Sequence, residues 1–181
     1  MIEFNPGLIM ILGGLLVPLI PRAGRRALLL ALPVAGLAYT TALDPETLVT
    51  STFFSYTLEV LRVDRLALVW GYIFHIAAFL GGLYSLHEDD TLQSSMSQIY
   101  MGSAVAAVFA GDLITLFIFW ELTAISSVFL IWATGTERSF RAGMRYLIIQ
   151  VGSGVLLLAG AILNLADTGS IAFDHLGIES L

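Results

Sequence analysis

Glu121 is a carboxyl group set in the middle of an apolar run. Residues 111–133 read GDLITLFIFWELTAISSVFLIWA, and about 20 such residues cross the hydrocarbon of a bilayer as one helix. A charge near midspan costs several kcal/mol, so acids there usually mark ion or proton pathways. An acid that exchanges between charged and neutral forms is what a proton relay requires. The competing reading is a protonated Glu121 hydrogen-bonded to a neighbouring helix as glue. The helical repeat puts Phe117, Ile118, Ala124, Ile125 and Val128 on its face. None of these can neutralise it, so a counter-charge has to come from another segment.

Other residues could share a proton or ion path. Asp112, at the opening of the same run, could gather cations at a mouth, or could complement a helix N-terminus. His75 lies mid-way along an apolar stretch and could relay protons, or could be a packed core histidine. Arg145, followed by Tyr146 and Gln150, could supply the cation that Glu121 lacks, or could snorkel to the interface. Ser126 and Ser127 could line a hydrated path, or could bond their own backbone carbonyls. Asp64 and Arg65 read as an interfacial pair or cap. The acids of HEDD, residues 87–90, read as solvated, with no second cluster to complete a metal site.

These residues must be positioned by helices in lipid. Of the 181 residues 57% are hydrophobic and 12% charged, about half the charged fraction of soluble domains, and the mean hydropathy is +0.88. That composition defines an all-α integral membrane protein. The net charge of −6 comes from acids at segment ends, and no basic patch offers a nucleic-acid surface. Without cysteine there is no disulfide or thiolate site. No phosphate loop, nucleophile elbow or zinc motif is present, so neither a cofactor nor a self-contained enzyme is expected. The opening MIEFNPGLIMILGGLLVPLIPRAGRR has Glu3 where a signal peptide has basic residues and reads as a retained helix.

The pattern predicts a single transmembrane domain of about six helices, near 7–20, 27–43, 63–86, 96–110, 112–133 and 143–165. Pro33 should kink the second helix and leave a freed carbonyl that needs a neighbour or water. The Thr, Phe, Ser and Tyr residues of 44–61 suit a short interfacial hairpin. Residues 171–181 form an amphipathic tail at best. Arg22, Arg25 and Arg26 fall after the first helix, Arg138 and Arg141 after the fifth. Positive residues favour the cytoplasmic side, so the N- and C-termini are expected outside. Arg62 and Arg65 oppose this, offset by Glu59 and Asp64.

DLITLFIFWELTAISSVFLI, residues 112–131, resembles the fifth-helix signature of the antiporter-like subunits of Mrp-type cation/proton antiporters, respiratory complex I and membrane-bound hydrogenases. RAGMRYLIIQVGSGVLLLAGAILNL is similar to the following helix of that family, and VDRLAL to its opening of helix 3. The likeness spans about residues 60–170, in flavour nearest to the D-type subunits of Mrp antiporters. It implies that Glu121 is the family's essential glutamate, which faces a lysine on helix 7. It also implies a multi-pass protein of a prokaryotic-type plasma membrane, working with other membrane subunits on H+ and possibly Na+. All eight basic residues here are arginine, so that lysine is not in this sequence. Either the chain is the N-terminal part of a longer subunit, or a second polypeptide supplies the lysine-bearing helix. Two rival readings stand beside transport: the same fold in a redox complex, and a non-conducting scaffold in which Gly152 and Gly154 serve packing.

Overall fold

The computed structural model describes residues 3–53 and 56–173. Helix α1 (Gly7–Leu16) ends in a 3-10 turn, Val17–Leu19, that contains Pro18. Then come α2 (Arg22–Thr41), strands β1 (Leu48–Phe53) and β2 (Tyr56–Arg62), and α3 (Arg65–Tyr84) with a 3-10 turn at Ser85–His87. Helices α4 (Thr91–Val108), α5 (Leu113–Trp132) and α6 (Glu137–Thr168) follow. Residues 174–181 of the expected tail lie outside the described residues.

Three helices start where a short acid caps them. Asp64 accepts from Ala67 N–H at 2.7 Å, Asp90 from Leu92 N–H at 2.8 Å and Asp112 from Thr115 N–H at 2.7 Å. Each bond satisfies a first-turn donor that has no helical partner. Thr136 starts α6 with a reciprocal pair of bonds to Ser139. Gly169 ends α6 at φ 74°, a left-handed conformation that glycine adopts without strain.

Helix α4 is the hub, packed against α1, α5 and α3; α2 lies on α3 and α1, and α6 packs chiefly on α5. Backbones touch where α1 meets α4. A Cβ at Gly102 would stand 2.8 Å from the Gly7 carbonyl oxygen and from Ile11 N, so only glycine allows this approach. One core layer joins Met10, Leu32 and Ala78, with Met101 against it. Another joins Leu43, Leu61, Val63, Val105 and Phe109.

Strands β1 and β2 pair antiparallel, Leu48 opposite Arg62 and Phe53 opposite Tyr56, with a register shift between Val49 and Thr50. The hairpin expected over 44–61 is therefore present, and it clamps one end of the bundle. Arg62 N–H donates to Phe109 O at 2.9 Å and Gly111 N–H to Glu59 O at 3.0 Å. Asn5 Nδ2 donates to Val60 O and to Ala106 O, 3.2 and 3.0 Å, tying α1 to β2 and α4. The opposite end carries Arg22, Arg25, Arg26, Arg138, Arg141 and Arg145, six of the eight arginines. Arg22 and Arg26 lie 3.9 and 3.6 Å from the Asp89 carboxylate.

Several expected boundaries move outward. Arg22, Arg25 and Arg26 form the first turns of α2, because Pro21 sits extended at its start and releases the helix directly after it. Helix α4 begins at Thr91 because the last acid of HEDD is its cap. The count of six spanning helices is not confirmed by length and hydropathy: among the described residues three helical stretches, Arg65–His87, Leu113–Trp132 and Glu137–Thr168, are long and apolar enough to cross a membrane. Helix α1 with its 3-10 turn is apolar but short. Helix α2 carries three arginines, and α4 is diluted by Gln93, Ser94, Ser95, Ser97 and Gln98.

Candidate functional site: the seam between α5 and α6

Twenty residues of α5 make a rod about 30 Å long, and Glu121 is close to its centre. The side chain turns toward α6. Its carboxyl group rests over Gly154, where any Cβ would collide with Oε1 and the carboxyl carbon. Oε1 is buried with no hydrogen-bond partner among the described residues. Gly154, read from sequence as one of several packing glycines, is thus the seat of the candidate acid. Nothing in the sequence around it distinguishes it from Gly152 or Gly160, where a Cβ would meet nothing within 4 Å.

The polar groups continue along the seam toward the arginine-bearing end. Ser127 Oγ–H donates to the Ala124 carbonyl of its own helix at 2.7 Å, and its oxygen pairs with the Tyr146 hydroxyl at 3.0 Å. Tyr146, Gln150 and Gly154 are spaced by four residues and share one stripe of α6. Ser126 is buried and donates to Leu122 O and Thr123 O, 2.7 and 3.1 Å, so its hydroxyl serves its own helix. Arg145 is exposed and makes no salt bridge to Glu121 among the described residues. At the turn, Trp132 stacks on Phe140, ring centroids 5.4 Å apart, and lies against Gly143. This fixes the angle at which α6 returns.

Asp112 stands at the hairpin end, fully buried. Besides the Thr115 N–H bond, its other oxygen accepts from Glu59 N–H at 2.6 Å and Thr115 Oγ–H at 2.8 Å. The Thr115 bonds cap α5, and the Glu59 bond ties α5 to β2. The chain after α6 closes over the same place, with Leu113 N–H donating to Ile171 O at 3.1 Å. A cavity of about 310 Å³ opens beside it, lined by Tyr56, Glu59, Asp112 and Ser170 among others.

His75 is not brought to Glu121. It is buried between α3 and α2, with Nδ1 2.7 Å from Gly71 O. A carbonyl only accepts, so Nδ1 carries the proton. Nε2 has no hydrogen-bond partner among the described residues and abuts Gly36 of α2. No group of three or more His, Asp or Glu that could hold a metal ion occurs among the described residues.

Residues 110–179 match the family described as NADH:quinone oxidoreductase/Mrp antiporter, TM. The D subunit of the Na(+)/H(+) antiporter of Bacillus subtilis is 27% identical over 125 residues, which are 66% of this chain and 25% of that protein. A chain of the Mrp complex from Dietzia sp. shares the fold at a TM-score of 0.84 and 22% identity, over 96% of this chain and 20% of its own. A chain of an archaeal membrane-bound sulfane sulfur reductase does so at 0.81 and 18% identity, over 94% of this chain and 28% of its own. The chain spans 15–25% of the length of the curated relatives it matches first. The matched residues begin just before α5, take in Glu121 and Gly154, and run past α6: over this stretch the chain is similar to the antiporter-like membrane subunits.

Proposed function

We propose that this chain forms part of a proton or sodium translocation path in a multisubunit cation/proton antiporter, with Glu121 as its switchable acid. The single observation that carries the reading is the setting of that carboxyl group. It lies at mid-helix, over a glycine that makes room for it, with an oxygen unpaired among the described residues. Leaving a buried acceptor unmade costs about 1–3 kcal/mol, and such a group is retained where its exchange is used. The counter-charge is a lysine from another chain or from sequence beyond these residues. Ser127, Tyr146 and Gln150 line the approach from the arginine-bearing end, which faces the cytoplasm by charge. The hairpin end faces outward. Asp112 and His75 are positioning groups in this scheme, Asp112 for the mouth of α5 and His75 for the contact of α3 with α2.

Glu121→Gln keeps size and hydrogen bonding but cannot release a proton. In membrane vesicles bearing the whole complex, it should abolish cation-dependent proton movement while the complex still co-purifies intact. Wild-type transport would refute the role. A second reading, a proton-pumping subunit of a redox complex, is supported by the almost equal fold likeness to the sulfane sulfur reductase chain. Proton movement driven by an electron donor, with no dependence on added cation, would select it.

A further inference from the structure

Pro33 has no N–H, so the Leu29 carbonyl one turn earlier loses its helical partner. The structure supplies a substitute from another helix: Gln98 Nε2 of α4 donates to Leu29 O at 3.3 Å. Gln98 is 3% exposed, and its other end, Oε1, has no hydrogen-bond partner among the described residues. Arg25 precedes Leu29 by one turn, about 6 Å along the same face of α2. Its Nη1 reaches Asp89 O at 3.4 Å, while its buried Nε has no hydrogen-bond partner among the described residues. A donor without an acceptor, Arg25 Nε of α2, and an acceptor without a donor, Oε1 of the α4 residue Gln98 that meets α2 one turn further on at Leu29, thus both lie at the α2–α4 contact among the described residues. Ser95, three residues before Gln98, donates to Gly14 O at 2.7 Å and keeps lone pairs free to accept.

We propose that the α1–α2–α4 junction is a water-binding notch, in which internal water accepts from Arg25 Nε–H and donates to Gln98 Oε1. Buried water takes about three hydrogen bonds, and the second lone pair of Leu29 O, or Ser95 Oγ, completes the set. The notch opens toward the cytoplasmic arginines and stops at the dry layer of Met10, Leu32 and Ala78. His75 stands one turn beyond Ala78 on α3. The notch therefore brings proton-carrying solvent into the bundle by a route that does not pass Glu121, and it does not depend on the role proposed for Glu121.

Radiolytic hydroxyl-radical labelling tests it, because the radicals form from water in place and oxidise methionines that border that water. In the assembled complex in lipid, Met10, which is fully buried, should be oxidised in the wild type. Gln98→Leu, which removes the acceptor, should lose that labelling. Should Gln98→Leu fail to assemble, the variant with Pro33→Ala as well is measured instead; the alanine N–H restores the helical partner of Leu29 O. Met10 left unmodified in the wild type, or oxidised equally with and without the Gln98 amide, would overturn the proposal.

Discussion

The α1–α4 contact and the α5–α6 seam are both built on glycine, and they use it in opposite ways. Gly7 and Gly102 let two backbones touch. The space is filled by main chain, and dispersion and exclusion of other matter are the whole result. Gly154 lets an acid in. Its missing Cβ holds the Glu121 carboxyl group, which is then buried without a partner among the described residues. The first arrangement fixes a structure, and the second keeps a group available. Helix α6 shows the same contrast along its length. Its buried residues are Gly143, Gly154 and Ala161, while Ile148, Ile149, Val155, Leu156, Ile162 and Leu163 are exposed. Helix α4 is covered along most of its length, and the α5–α6 seam has an open flank.

The contrast predicts different failures. Gly102→Leu forces a side chain between two backbones. It should destabilise the chain by about 3 kcal/mol, the upper end for overpacking, and a thermal melt of the purified complex, or its loss on co-purification, reads this out. An unshifted melt would mean that α1 and α4 do not touch there. Asp112→Ala removes the cap of α5 and leaves the Glu59 N–H without its carboxylate. The expected loss is about 2 kcal/mol, from a cap worth about 1 and an unsatisfied donor worth about 1–3. Proteolysis should then reach the hairpin, β1 and β2, before any helix. Tyr146→Phe removes one hydrogen bond in the seam, worth about 0.5–1.5 kcal/mol. It should lower transport more than it lowers the melting temperature, whereas equal losses would make Tyr146 mere packing.

How much of this the sequence discloses follows the range of the interaction. Helix α5 and its central acid are legible because hydropathy is local and Glu121 is an exception within it. The β1–β2 pair is legible from its β-branched and aromatic residues. The freed carbonyl before Pro33 is a consequence of covalent structure alone, and the structure adds only the side chain that meets it, Gln98. Arg22, Arg25 and Arg26 mislead, because charge reads as loop while Pro21 starts a helix. Asp112 carries both readings in sequence, and the structure adds its burial and the bond it accepts from Glu59 N–H, neither of which its own helix discloses. Asn5, Gln98 and the Gly7–Gly102 approach leave no signature, since each depends on residues 50 or more positions away.

The central claim is that the Glu121 carboxyl group changes protonation as ions move. Difference infrared spectroscopy of the complex, stepped between its resting and its cation-driven state, sees that change as a carboxylic acid C=O band. The band should appear in the wild type, shift in heavy water and be missing from Glu121→Gln. The same band with unchanged amplitude in Glu121→Gln would contradict the account.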